Sequence, residues 1–455
     1  MLFKKTETPP LFSRRDLVRI LLPLLFEQVL AVMVGLFDAM MVSSVSEAAV
    51  SGVSLVDSVN LFINNILVAL ATGGAVVCAQ FLGRKDTAAA CTSAKMLYYV
   101  VFAVSAVITV LTLIFRTAIL SLIFGRIEAD VMANAKIYFL FTMLSYPFLA
   151  LYNGGAAVFR TMGNSKVSLH VSLGMNAINI LGNAVLIYGC RLGAAGAAIA
   201  TLLSRIFGAV ILLVLLHSEK HPIYLKNLLH IRLDIPIVKD IFTIGVPNGL
   251  ENGMFQFGKL LTQGLVSTLG TPSIAANAVA NTLVSFGYAA GGAVAMTDIA
   301  VIGRCVGAGE KEQAKAYTKI LVAVSYAVTI SISLFLAVFA RPIIGAFHLS
   351  AASAGTAHAL ILFHGLCASL IWPLAFTLPN SFRAASDVRY PMVLSVLSMW
   401  IFRVGGSYLL TNAFGLGVFG VWAAMMIDWV FRTVVFVVRY KSGIWLTFYK
   451  AEQST

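Results

Sequence analysis

Charged side chains are scarce in this chain. Only 11% of its 455 residues are Asp, Glu, Lys or Arg, whereas 59% are apolar. A soluble domain is usually about one-quarter charged, and so few charges cannot cover the surface of a water-soluble body of this size. The composition therefore argues against an ordinary soluble protein and indicates that lipid is the solvent for the excess apolar surface.

Cysteine and histidine are also few, and neither forms a recognisable site. The five cysteines are far apart and include no CxxC pair, which argues against a disulfide framework or a zinc site. No nucleophile–base set or HExxH motif lies in the apolar runs. We expect neither an enzyme nor a bound cofactor.

The net charge of +13 does not indicate nucleic-acid binding, because the basic residues are spread through short segments between apolar runs. If the N-terminus is cytoplasmic, 22 of the 32 basic residues fall on cytoplasmic segments. The opposite loops hold five: Arg116, Arg126, Lys136, Arg191 and Arg341. This bias predicts that both termini are cytoplasmic and that the number of spans is even.

Long apolar runs set the architecture. A helix needs about 20 mainly apolar residues to cross a bilayer. Barrel strands are excluded, since they would alternate over about ten residues. We predict an all-α polytopic membrane protein with twelve transmembrane helices, at 17–43, 58–82, 96–115, 137–159, 167–189, 193–216, 241–268, 277–303, 320–340, 359–381, 390–411 and 415–438.

The two halves of the chain repeat one another at a nearly constant spacing. Pro23 and Glu27 match Pro247 and Glu251 at an offset of 224, and "FRTMGNSK" matches "FRAASDVR" at 223. Each half holds six spans, so the halves share one orientation about a pseudo-two-fold axis along the membrane normal, a recurring transporter plan. The predicted domains are an N-terminal lobe (1–216), a cytoplasmic linker (217–240) and a C-terminal lobe (241–455).

Polar side chains inside the spans single out the N-terminal lobe. Asp38 lies late in span 1, Thr201 lies in span 6, and span 5 carries Asn176, Asn179 and Asn183 on one helical face. Carboxylate, amide and hydroxyl oxygens suit a proton or a small cation. The alternative is that these groups only hold helices together by hydrogen bonds. The matching positions of the second half lack this set.

Glu27 and Glu251 each follow a proline by one helical turn. Two interpretations are open for these acids. In the first they bind a cationic substrate or relay a proton. In the second each forms a hydrogen bond to a backbone carbonyl that the proline leaves free. Pro23 is also a candidate hinge, because a proline kink would let the outer part of span 1 bend when Asp38 changes its charge.

The basic residues within the C-terminal spans are few. Asp428 can pair with Arg403 or with Arg432 at i+4, and a structural ion pair is the preferred interpretation. Together with Arg205 and Lys259, these arginines are too few for the strongly cationic cavity that we would expect of a lipid-linked precursor flippase.

Taken in order, several segments resemble the multidrug and toxic compound extrusion (MATE) antiporters. They are "VGLFDAMMV", "AQFLGRKD", "FRTMGNSK", "NILGNAVLIYG", "GAAGAAIAT", "GVPNGLENGMFQFGK", "VGAGEKEQAK" and "FRAASDVRYP". The resemblance covers essentially the whole chain. It implies a V-shaped pair of six-helix lobes that exports organic, often cationic and aromatic, compounds in exchange for Na⁺ or H⁺.

The resemblance also implies a cation site in the N-terminal lobe at Asp38, Asn179, Asn183 and Thr201. Members of one branch carry Asp where this chain has Asn183. That departure leaves Asp38 as the only carboxylate of the cluster and favours H⁺ over Na⁺.

The expected function is therefore cation-coupled antiport by alternating access. Burial favours the protonated form of Asp38, and its protonation is expected to bend span 1 and release substrate outward. The alternative is a flippase of a lipid-linked precursor. We expect a monomer in a bacterial-type plasma membrane, whose partners are small organic substrates, H⁺ or Na⁺, and the lipid bilayer.

Overall fold

Helices account for most of the chain, because a helix satisfies its own backbone hydrogen bonds in hydrocarbon. The structure is a computed structural model that describes residues 9–125, 128–228, 230–347 and 349–449, and within them it contains no strand. The helices are α1 Arg14–Ser43, α2 Glu47–Gly83, α3 Thr87–Phe124, α4 Ala129–Leu144, α5 Tyr146–Thr161, α6 Ser165–Gly189, α7 Gly193–Leu216, α8 Ile235–Ser267, α9 Thr271–Gly307, α10 Lys311–Gly345, α11 Ala351–Ala384, α12 Arg389–Ala413 and α13 Gly417–Ser442.

Ten of these described helices are long and apolar enough to cross a membrane, and α4 and α5, which meet at an angle of 45°, make an eleventh if the pair is taken as one span. The sequence predicts a continuous span at 137–159 instead. The break falls at Ser145, and Pro147 follows at the start of α5, where a proline cannot continue the hydrogen-bond ladder. The remaining long helix is α8, whose polar residues include Asn248 and Glu251. The prediction of an all-α polytopic membrane protein is confirmed.

Several helices extend beyond the apolar runs that predicted them. α3 begins nine residues before the predicted span, at a cap where the Asp86 side chain accepts a hydrogen bond from the Ala89 amide at 2.9 Å. α2 begins at Glu47, and its cap is the Ser46 hydroxyl. Such caps satisfy free amides at helix starts. As a result, Asp57 lies well inside α2 rather than before it.

The described chain forms two compact units. The N-terminal unit is Val18–Gly249, and the C-terminal unit combines the residues from Leu250 onward with those up to Leu17. In the N-terminal unit, glycines allow α2 and α5 to pack closely on α3. A Cβ at Gly74 would lie 2.4 Å from Leu97 Cδ1, and helices approach this closely only where the side chain is absent.

The segment between α7 and α8 is fixed to α3. Lys95 Nζ donates to the carbonyl oxygens of Asn227 at 2.8 Å and His230 at 3.0 Å. Because α8 begins at Ile235, the end of the predicted linker is helical.

Four of the basic residues used to predict the topology lie outside the described residues, namely Lys4, Lys5, Arg126 and Lys450.

The core of the C-terminal unit is rich in aromatic rings. Trp372, Trp422 and Trp429 are buried there, and the rings of the last two meet the imidazole of His364 edge to face. Gly291 makes room for them, since a Cβ at this position would lie 1.8 Å from the Trp372 ring. Large rings bury much apolar area and fix their neighbours by edge-to-face contacts. This core supports α8 and α12, which carry the polar residues described below.

Candidate functional site

Four of the polar residues predicted for the N-terminal lobe meet in one cluster. Asp38 extends from α1, Asn179 and Asn183 from α6, and Thr201 from α7. Asn183 Nδ2 donates to Asp38 Oδ1 at 2.7 Å. The Asn179 amide lies between Asp38 and Thr201. With its nitrogen toward the acid, it donates to Oδ1 at 2.7 Å and Oδ2 at 3.1 Å, and its oxygen accepts from Thr201 Oγ1 at 3.2 Å.

Asn176 lies outside this cluster, although it shares the helical face. Its Nδ2 is buried and has no hydrogen-bond partner within the part of the chain that the structure describes. The i, i+3, i+7 spacing therefore predicted the common face, but only two of the three amides reach Asp38.

Asp57 is a second acid close to the cluster, and the sequence analysis missed it. Its Oδ1 accepts hydrogen bonds from Tyr138 Oη at 3.1 Å and Asn60 Nδ2 at 3.2 Å. Asp57 is close enough to Asp38 for the two charges to interact. Within the described part of the chain Asp57 makes no hydrogen bond to the four cluster residues, so Asp38 remains the only carboxylate of the cluster, and a second acid acts on it electrostatically from outside.

A signal for Asp57 was present in the sequence. Asp57, Asn60 and Asn64 have the same i, i+3, i+7 spacing as the asparagines of α6, which places them on one face of α2. They were overlooked because the predicted span began one residue after Asp57. The acid is ten residues into the observed helix.

A chain of polar contacts continues from Asp57 to the bend between α4 and α5. Tyr146 Oη donates to Asn60 Oδ1 at 2.7 Å, and Arg205 Nη1 donates to Ser145 Oγ at 2.5 Å. Arg205 and Asp57 also attract each other electrostatically. Polar networks of this kind are costly in a membrane unless their members are paired. The bend in span 4 is therefore part of the polar region.

Glu27 and Glu251 each neutralise an arginine. Arg160 Nη1 lies 3.7 Å from Glu27 Oε1, and Ser168 Oγ donates to Glu27 Oε2 at 2.8 Å. In the other unit, Arg383 Nη2 donates to Glu251 Oε2 at 2.6 Å. The arginines are the matching residues of the two "FR" motifs. A carboxylate that already balances an arginine has little charge left to attract a cationic substrate.

Pro23 lies inside α1, one turn before Glu27, and is buried. Of the two possible partners of Asp428, Arg432 is the one that pairs with it, at 2.8 Å between Nε and Oδ1. Both side chains are almost fully buried, so this pair is structural, as the sequence indicated. Arg403 is left outside it.

Comparison with known proteins identifies the kind of molecule that carries these residues. The family model MatE matches residues 23–185 and 247–409. The two matches start 224 residues apart, which confirms the internal repeat. The solved structure of an outward-facing multidrug resistance MATE family transporter of the MOP superfamily has the same fold, with a TM-score of 0.87 at 18% identity, over 96% of this chain and 97% of that one.

Two curated bacterial proteins are similar along their length. An uncharacterized transporter, YisQ of Bacillus subtilis (strain 168), is 26% identical over 441 residues, or 93% of each chain. A probable multidrug resistance protein, NorM of Thermotoga maritima, is 25% identical over 450 residues, or 97% of this chain and 94% of the relative.

Proposed function

Because the chain belongs to the MatE family of membrane transporters, we propose that it is a proton-coupled antiporter that exports organic compounds by alternating access. Relatives with the printed name "probable multidrug resistance protein" support export of small organic molecules. The same relatives do not favour the alternative of a lipid-linked precursor flippase.

The contact between Asp38 and the amides of α6 carries this proposal. An ionised Asp38 accepts hydrogen bonds from Asn183 and Asn179. A proton on Oδ2 of Asp38 removes the 3.1 Å hydrogen bond from Asn179, whereas a proton on Oδ1 displaces the two amides that donate to that oxygen. Gain and loss of a proton therefore change the contacts between α1 and α6.

Pro23 gives α1 a place to respond to that change. It removes one backbone hydrogen bond from the helix, and the part of α1 that carries Asp38 lies beyond it. In the proposed mechanism a proton from outside neutralises Asp38, α1 bends, and the bound compound is released outward. Loss of the proton to the cytoplasm restores the first state.

Na⁺ is a second candidate for the coupling ion, and one observation favours it. Asn183 Oδ1 is buried and has no hydrogen-bond partner among the residues described. With the carboxylate of Asp38, the Asn179 oxygen and the Thr201 hydroxyl, it belongs to a set of hard oxygens of the type that Na⁺ binds.

Transport in proteoliposomes, with pH and Na⁺ gradients imposed separately, tests the proposal. Two probes share one ring system and differ in charge: 1-pyrenemethylammonium and 1-pyreneacetate. We expect a pH gradient to drive at least one probe, and Asp38→Asn to abolish that drive while the protein still unfolds at the parent's temperature. Equal transport by Asp38→Asn and the parent would end the proposed mechanism. Pro23→Ala tests the hinge separately, since unchanged transport would remove it.

We further propose that the protein is a monomer of the bacterial-type plasma membrane with both termini in the cytoplasm. The distribution of basic residues supports this orientation. Cys190 offers a native test, because it is exposed between α6 and α7, in a loop that would face outward. A membrane-impermeant maleimide should label it on intact cells, and Cys190→Ser should not be labelled. Labelling only after the cells are broken would reverse the orientation.

A further inference from the structure

Lys259 lies on the inner face of α8 in the C-terminal unit. Glu251, Phe255 and Lys259 follow one another at intervals of one helical turn. The first two point into their own unit: Glu251 pairs with Arg383, and the Phe255 ring lies 6.2 Å from that of Phe376. Lys259 is exposed, and its ammonium lies beside the Phe255 ring on this face.

Arg403 faces the same ring from α12. Its Cζ lies 5.1 Å from the centre of the Phe255 ring, and Lys259 Nζ lies 5.9 Å from it. α8 and α12 are held together next to these cations, since a Cβ at Gly258 would lie 2.4 Å from Met399. Arg403 belongs to a π-helical turn, Met399–Gly405, a distortion that is frequent at functional sites.

Neither cation has an acidic partner of its own. The nearby acids Glu251 and Asp428 are paired with Arg383 and Arg432. Asp428 attracts Arg403 only from beyond ion-pair distance. No hydrogen-bond or ion-pair acceptor is found for the side-chain nitrogens of Lys259 or Arg403 within the ranges that the structure describes, and the two like charges repel each other.

The other two buried acids described in this unit do not balance them, and one of these, Asp387, pairs with Arg439 at 2.8 Å. Asp298 is almost fully buried, accepts a hydrogen bond from Ser381 at 2.7 Å, and acts electrostatically on Arg383. Two adjacent unpaired cations at membrane depth are unfavourable unless they serve to bind something. The chemistry that relieves their repulsion is an anion.

Aromatic rings extend from the two cations into the unit. The Phe376 ring, next to Phe255, stacks on Trp372 at 5.4 Å, and Trp372 stacks on Tyr288 at 6.3 Å. Tyr288 in turn interacts electrostatically with Arg403. A flat apolar molecule can lie against the half-buried rings of Phe255 and Phe376 at the outer end of this row, while its charged end reaches the cations.

We propose that Lys259 and Arg403, with the ring of Phe255, bind the carboxylate of an aromatic organic anion, and that such anions are the substrates the protein exports. This inference rests on the proposed antiport function and deepens it. Arg403 supplies a planar donor pair that suits a carboxylate, and Lys259 supplies a mobile point charge. The substrate class therefore differs from the organic cations that the resemblance implied.

Binding of the two pyrene probes to the purified full-length protein tests the site. In phosphatidylcholine nanodiscs, 1-pyreneacetate should bind more tightly than 1-pyrenemethylammonium. Lys259→Gln and Arg403→Gln should each weaken 1-pyreneacetate binding by about tenfold or more, as expected for loss of a hydrogen bond between charged groups. Lys259→Arg keeps the charge and should retain most of the affinity. Lys319→Gln, the same change at an exposed site of α10, is the matched control.

Several outcomes would overturn the inference. Tighter binding of 1-pyrenemethylammonium would do so, as would unchanged 1-pyreneacetate binding by a folded Lys259→Gln. If phosphatidylglycerol in the nanodiscs displaces 1-pyreneacetate from the parent, the site belongs to lipid phosphate and the proposal is wrong. The proteoliposome assay separates the two proposals. Export of the cationic probe alone contradicts this inference only, whereas a lack of gradient-driven export of both probes contradicts the antiport function.

Discussion

Replacing Asn183 with Asp tests the cluster around Asp38 most sharply. Asn183 Nδ2 lies 2.7 Å from Asp38 Oδ1, and Asp has nearly the same shape as Asn. Two unit negative charges at this separation repel by about 6 kcal/mol at an effective dielectric constant of about 20. Relaxation will lower that value. A bound proton or a bound cation relieves the repulsion that remains after relaxation.

Na⁺ binding to the purified protein, followed with radioactive Na⁺ at a fixed pH, measures this effect. We expect Asn183→Asp to raise the Na⁺ affinity by at least about tenfold, which needs only about 1.4 kcal/mol of the repulsion. In proteoliposomes the variant should also gain a dependence of transport on the Na⁺ gradient. Asn176→Asp adds the same carboxylate two turns earlier on α6, outside the cluster, and should not produce the gain.

The opposite result would refute the reasoning. If Asn183→Asp binds Na⁺ no better than the parent and keeps the parent's response to each gradient, position 183 does not share a cation site with Asp38. An equal gain in Asn183→Asp and Asn176→Asp would show that any added acid on this helix attracts Na⁺, and the specific geometry would then have no role.

Three further predictions concern the surrounding structure. Arg383→Met should lower the free energy of unfolding in detergent by about 3–5 kcal/mol, because it leaves Glu251 buried and unpaired. Adding Glu251→Gln should recover most of the loss, and additive losses in this double-mutant cycle would contradict the pairing. Asp57→Asn should slow proton-driven transport without abolishing it, because the acid acts on Asp38 only electrostatically. Transport rates measured over a range of pH check this, and rates that match those of the parent at every pH would exclude the effect. Gly291→Ala should lower the free energy of unfolding by about 1–3 kcal/mol, because the new Cβ forces the Trp372 ring to move. Gly287→Ala is the control: its new Cβ would lie 3.9 Å from the nearest atom, and it should be close to neutral in the same measurement.

The architecture was accessible from the sequence because its causes are local or periodic. Apolar runs of bilayer length predict helices, whatever their neighbours, since a helix satisfies its backbone hydrogen bonds within its own segment and a barrel strand would be about ten residues long and alternating. The constant offset between Pro23 and Pro247 predicted two similar halves, and the family match repeats at the same spacing. The pair of Asp428 and Arg432 could be anticipated for the same reason, since residues at i and i+4 are neighbours on any helix.

Only the tertiary structure decided which polar residues meet across helices. Asn176, Asn179 and Asn183 share one face, but the crossing with α1 selects the last two. Asp57 approaches Asp38 although nothing in the sequence relates them. Such contacts depend on where two helices cross, and residue types and periodicity do not fix that position.

The sequence by itself determined that this is a membrane protein, where its helical spans lie and that its two halves repeat. The length of an apolar run and the periodicity of its polar residues are properties of each segment alone. The fold decided the charge balance at each site. Lys259 and Arg403 are distant in the chain, as are Glu251 and Arg383, and whether a charge within a helix is paired or left open depends on the distances that packing sets.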